Sequence, residues 1–258
     1  MDYLTRHTEN PYSDLLWNIP EQKLGVVNVI GGNSQNFRTP VKIAEYLGVN
    51  FPIKTVNLVL PDALKANLPP LDNLLFLNST ESGSFASASE LEDALNSADF
   101  NLIIGDLSKN NITKEAVFSA SKAASKPAIL TRDSLDLIAE NASSELLMNE
   151  NLIFFGSLPQ FQKLFRAVYY PKMLTLSQSF VQIAEIFHKF TLSYPVNIIT
   201  LANGQIIIVR NGNVHAIPLD KTSYTPLSLW MGNAAAKILA INLFNPDNFE
   251  KATVAGLF

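Results

Sequence analysis

The sequence contains no cysteine, which excludes disulfides, thiolate nucleophiles and Cys-based zinc sites together. Histidine is almost as scarce. The three present, His7, His188 and His215, stand far apart and lack ligand spacing, so no metal site or triad is expected of them. Charge is sparse too, at 16% of residues with a net charge of −4. No basic run exists to form a patch, so neither nucleic acid nor an anionic membrane is an expected partner. Long apolar runs are also missing: Ile206–Val209 and Leu74–Leu77 fall far short of the roughly 20 residues a membrane helix needs. The first residues, Met1-Asp2-Tyr3-Leu4-Thr5-Arg6-His7, are polar and hold no signal-peptide core. The expected location is the cytoplasm.

What is present is a core. Hydrophobic residues make up 47% of the 258-residue chain, too many for disorder and enough for one large α/β domain. Residues 1–23 are polar, contain Pro11 and Pro20, and read as an arm anchored by Leu15, Leu16 and Trp17. From residue 24 to 258 short β-branched runs alternate with helical periods. Val26–Ile30 reads as a strand stopped by Gly31-Gly32. Thr39-Pro40 reads as a helix start, with Thr39 as N-cap and Gly48 as the stop. Further strands are expected at Thr55–Leu60, Leu74–Leu77, Leu102–Ile104, Ala128–Leu130, Leu152–Phe155, Val196–Leu201 and Gln205–Arg210. Helices are expected at Ser89–Asn96, Lys114–Ser121, Ser134–Asn141, Leu158–Val168, Leu174–Phe190 and Pro226–Leu243. Asn203-Gly204 and Asn211-Gly212 are hairpin signals. The pattern predicts a mostly parallel sheet between two helical layers, with an antiparallel hairpin near the C-terminal edge. The helix Pro226–Leu243 is apolar around nearly its whole circumference, so it is expected to be buried.

The order of landmarks resembles the NAD(P)H-hydrate dehydratases of the ribokinase-like superfamily. Val29-Ile30-Gly31-Gly32 with Pro40 is similar to that family's opening strand, Gly-Gly turn and helix start. Asp99-Phe100-Asn101-Leu102-Ile103-Ile104-Gly105 resembles the strand before its Gly-Pro-Gly-Leu-Gly turn, of which only Gly105 remains. Lys126–Leu135 resembles its Lys-Pro-Val-Val-Leu-Asp-Ala-Asp-Ala-Leu segment, with Thr131 at the first aspartate and Asp133 at the second. Of Thr-Pro-His-Pro-Gly-Glu-Phe only Phe161 survives, and Thr200-Leu201-Ala202-Asn203 replaces Leu-Lys-Gly-Ala. The family's Gly-Gly-Ser-Gly-Asp-Val-Leu-Ala-Gly falls on Pro226–Ala234, which puts Trp230 at the catalytic aspartate.

The resemblance implies a three-layer α/β/α fold and, were its chemistry intact, ATP or ADP with Mg²⁺ as cofactor. Serial loss of its glycines, lysine and aspartate implies instead an inactive relative, keeping a nucleotide-like ligand or a protein partner. A purely structural role, as one subunit of an oligomer, is consistent with the same losses, and an active dehydratase or small-molecule kinase with rearranged groups is the remaining alternative. Self-association is also implied. Candidate ligand positions are Gly31, Gly32, Asn33, Gly105, Asp133, Thr225, Ser228, Gly232 and Asn233. Several have a plain structural reading: a tight turn into a helix for Gly31, Gly32 and Asn33, and helix starts for Asp133 and Thr225. Lys109 and Arg132 sit past strand ends, where open α/β sheets bind ligands, though solvated loop charges are the commoner reason for such residues. Asp133 with Asp136, one helical turn on, could hold a metal or form an acid-base pair, though Asp133 more simply begins a helix.

Overall fold

A computed structural model describes residues 2–66, 68, 73–220 and 224–258. Ten strands form one sheet in the order β1-β10-β9-β8-β7-β6-β5-β2-β3-β4. They are β1 Leu4–Arg6, β2 Leu24–Gly31, β3 Ile53–Pro61, β4 Leu74–Leu77, β5 Phe100–Gly105, β6 Ala128–Thr131, β7 Leu152–Phe155, β8 Asn197–Ala202, β9 Gln205–Arg210 and β10 Asn213–Pro218. Among the described residues only β9 runs against the rest, pairing antiparallel with both β8 and β10. The Asn203-Gly204 and Asn211-Gly212 turns make those two reversals, all four residues at positive φ. The expected parallel sheet with a late antiparallel hairpin is the observed one. β10 is absent from the predicted strands, and so is the three-residue β1 that extends it in parallel.

The helices are α1 Arg38–Asn50, α2 Ala88–Asn96, α3 Asn111–Ala123, α4 Asp133–Asn141, α5 Ser144–Leu147, α6 Leu158–Ala167, α7 Phe180–Ser193, α8 Pro226–Leu229, α9 Asn233–Phe244 and α10 Phe249–Leu257. Side chains alternate along the buried strands, so each strand feeds two cores. Ile103, Leu130, Phe154 and Ile198 enter the core beneath α2–α7. Their neighbours Leu102, Ile104, Ile129, Ile153, Phe155 and Ile199 enter the core beneath α1, α9 and α10. Strands buried on both faces explain the continuous apolar runs in the sequence. Among the described residues no helix is long and apolar enough to cross a membrane.

Three local expectations are corrected. The arm is pinned by Leu15, which packs on Ile241 and Ala252, whereas Trp17 is 87% exposed. α1 runs through Gly48 to Asn50, because one exposed glycine late in a helix costs only about 1 kcal/mol. α7 begins at Phe180 rather than Leu174. Ser179 and Gln182 form its capping box, the Ser179 hydroxyl accepting from the Gln182 N–H and the Gln182 side chain accepting from the Ser179 N–H, a start signal legible in the sequence.

Candidate functional site

In an open, largely parallel sheet the loops after the strand C-termini are the place for a ligand. Here those loops follow β2, β5, β6 and β7, and the start of α9 packs beside them. The expected helix Pro226–Leu243 is in fact two pieces. α8 ends at Leu229, and α9 starts at Asn233 after Gly232, whose φ is +112°. A glycine at left-handed φ inside an apolar period ends one helix and allows another to begin. A Cβ on Gly232 would lie 2.6 Å from Ile104 Cδ1 and 3.1 Å from Ile43 Cδ1, so packing of α9 onto β5 and α1 already requires glycine there.

The other candidate positions, Asn233 apart, are similarly engaged by the protein's own groups. Gly31 lies so close to β5 that a Cβ would meet the Gly105 carbonyl oxygen at 2.4 Å. The Gly32 N–H donates to that same oxygen at 2.9 Å. Asn33 accepts from the N–H groups of Gln35 (2.8 Å) and Asn36 (3.0 Å) and donates to the Asp106 carbonyl at 2.7 Å. Thr225 and Ser228 cap α8 reciprocally, at 2.8 and 3.0 Å. Asn233 is exposed at the first position of α9.

Asp133 closes the loop after β5. Its carboxylate accepts from the backbone N–H groups of Asp106 (2.9 Å) and Leu107 (2.8 Å). Two adjacent amides turned toward one point make an anion-binding concavity, and here a side chain fills it. Burial pushes the Asp133 carboxyl above its ordinary range; the two N–H bonds pull it down and the Asp106 charge adds to the rise. Asp106 is itself buried and paired with the Arg132 guanidinium at 2.9 Å. Its other oxygen accepts from the Thr39 N–H at 3.3 Å. That carboxylate, arriving from a different loop, does the capping expected of Thr39. Asp106 and Arg132 both hold positive φ, 57° and 59°, conformations that cost about 1–3 kcal/mol each and persist only when neighbours fix them.

Asp133 and Asp136 have different partners. Asp136 faces Gln160 (3.0 Å) and Lys163 (2.7 Å), and Gln160 also donates to the Arg132 carbonyl at 2.7 Å. Trp230 is half-buried and meets Phe155, the last residue of β7, edge-on with centroids 5.2 Å apart. Lys109 is exposed. At the opposite edge of the sheet, by the strand N-termini, lies a cavity of about 610 Å³. Its lining sets Lys126 and Arg210 against Asp99 and Glu150, so it favours neither sign of charge.

Sequence reasoning missed one cluster outright. His7 and His215, far apart in the chain, lie 2.9 Å apart between His7 Nε2 and His215 Nδ1. Only the pairing of β1 with β10 brings them together, and a three-residue strand leaves no period to read.

The sheet order, the one reversed strand among the described residues and the two helical layers make an α/β fold that ribokinase-like solved structures share. The chain is similar to a ribokinase-like superfamily protein of Enterococcus faecalis, at 14% identity and a TM-score of 0.68 over 99% of this chain and 85% of that one. It is similar also to the ADP/ATP-dependent NAD(P)H-hydrate dehydratase of Bacillus subtilis, at 13% identity and a TM-score of 0.62 over 97% and 86%. Hydroxyethylthiazole kinase from Pyrococcus horikoshii matches at 13% identity and 0.57 over 95% and 81%. No protein-family model and no curated protein sequence matches the chain. At these identities the likeness fixes the fold.

Proposed function

We propose that the chain is a catalytically silent relative of the NAD(P)H-hydrate dehydratases, with its strand-end site closed to ATP and ADP. The observation that supports this reading is the start of α9. With that helix start as the fixed point, we read Gly232-Asn233 as the counterpart of the family's Gly-Asp pair, three residues beyond the register that put Trp230 there. An amide neither gives nor takes a proton near neutral pH, so Asn233 cannot do an aspartate's work. The carboxylates nearest the loops are committed elsewhere, Asp133 to two backbone amides and Asp106 to Arg132. Trp230, against Phe155, adds bulk at the end of β7.

The test is conversion of NADH hydrate and NADPH hydrate with ATP or ADP and Mg²⁺, with an active dehydratase as control. The wild-type chain and the Trp230→Asp variant are expected to give no turnover. Asn233→Asp supplies a carboxylate at the helix start, yet Thr131 and Leu201 leave other parts of the site unfilled. Groups that act as a unit do not recover one at a time, so this variant too should stay at background. Nucleotide-dependent turnover by the wild type would overturn the reading and favour an active dehydratase or kinase with rearranged groups.

A further inference from the structure

The N-terminal arm adds β1 to the outer edge of the sheet, with Leu4, Thr5 and Arg6 in register with Val214, His215 and Ala216. The Val214 N–H donates to the Tyr3 carbonyl at 2.7 Å and the His7 N–H to the Ala216 carbonyl at 2.9 Å. Thr5 and Arg6 of β1 are exposed, while Leu4 and the preceding Tyr3 are partly buried against the core. Tyr3 stacks on His188 of α7 with ring centroids 3.9 Å apart, and the Arg6 guanidinium lies over the Phe180 ring at 5.0 Å. His7, the next residue, is buried at 7% exposure against His215 at 9%. The two rings are within 6° of parallel with centroids 5.2 Å apart. With 2.9 Å between the facing nitrogens, that separation is the one an in-plane N–H···N bond produces, not a face-to-face stack.

A bond of this kind needs one proton between the two nitrogens, and neither zero nor two will serve. The far side of His215 faces Glu250 of α10, with Nε2 3.6 Å from Oε2. One added proton is therefore accommodated: the facing nitrogens still share a single proton, and the charged pair faces a carboxylate. A second added proton is not. It places N–H against N–H and two positive charges within hydrogen-bonding distance in a buried site.

We propose that His7, His215 and Glu250 form a proton-operated latch that holds β1 against β10 and releases it when both rings are protonated, the rest of the arm staying pinned by Leu15. Release leaves β10 as an open sheet edge. The charged and titratable groups around the latch are few. His7 faces His215 from β10 and the edge of the Tyr12 ring from the arm, at 5.8 Å between centroids. Lys251 of α10 lies over Tyr12, its Nζ 5.8 Å from the ring centroid, and adds positive charge on that side. Glu250 feels His215 and Arg210, and accepts from Asn213 at 3.4 Å. Burial, and then the His215 charge, hold His7 below the ordinary histidine value of 6.5.

The sign follows from linkage. A histidine whose folded pKa is depressed binds its proton more tightly when released, so docking is complete above pH 6.5. It weakens as pH falls through the window between 6.5 and the folded value. The docking equilibrium changes about tenfold for each unit of that depression.

Hydrogen exchange of the full chain, corrected for intrinsic rates, reads this at Val214, whose amide β1 covers. Protection there should fall about tenfold or more between pH 7.5 and 5, while Leu102 and Leu130 in the sheet centre keep theirs. His7→Phe removes the titration and should flatten the profile. Ring titration of His7 and His215 by NMR in the wild type covers the case in which that variant never docks. Release must then share its midpoint with the second ring protonation. Unchanged protection at pH 5, or release at a pH where neither ring titrates, would overturn the proposal.

Discussion

Gly105→Ala is expected to lower the melting temperature by roughly 8–16 °C, a loss on the order of 4 kcal/mol for a domain of this size. The Gly105 φ is +98°, and a Cβ there would fall 1.8 Å from Asp133 Oδ1. The carboxylate cannot retreat without abandoning the Asp106 and Leu107 amides that it satisfies. Backbone strain and a lost hydrogen-bond pair therefore add at one position. Gly204→Ala separates the two contributions, because Gly204 has φ +72° but a Cβ there would meet nothing within 4 Å. That variant should lose only about 1 kcal/mol, from strain alone. Thermal unfolding followed by circular dichroism compares them, and equal losses would show that the Asp133 contact does not matter.

Asp133→Ala attacks the same loop from the other side. Hydrogen bonds to a charged group contribute about 1.5–3 kcal/mol each, and stranded buried amides carry a desolvation cost. A loss of about 3 kcal/mol in denaturant unfolding is expected, since shared bonds do not sum in full. The variant also empties the concavity that the carboxylate fills. High concentrations of sulfate or formate should then stabilise Asp133→Ala more than the wild type, because an anion that binds only the folded state raises its stability. Equal responses of the two proteins to these anions would mean that the amides of Asp106 and Leu107 do not form an anion seat.

The fold was legible wherever period and punctuation agreed. Alternation from Val26 onward and the two Asn-Gly turns led to the parallel sheet, its reversed strand and both helical layers. Errors fell where tertiary contacts override a local rule. Gly232 sits within an apolar helical period, and only the approach of Ile104 and Ile43 reveals that the helix breaks there. Thr39 has the chemistry of an N-cap, yet the helix starts at Arg38 and the Asp106 carboxylate reaches the Thr39 N–H from 67 residues away. Of the candidate site, the residue types were readable and their partners were not. Asp133 is an ordinary helix start until the Asp106 and Leu107 amides are seen pointing at it. His7 and His215 are 208 positions apart, and no spacing rule connects them.

Closure of the strand-end site by the protein's own groups is tested most directly by calorimetric titration of the wild-type chain with ATP and ADP in the presence of Mg²⁺. No saturable heat is expected up to millimolar nucleotide, because Asp133 holds the loop amides and the α9 start carries no free carboxylate. Saturation at micromolar nucleotide, lost on substitution of Gly232 or Asn233, would contradict that closure.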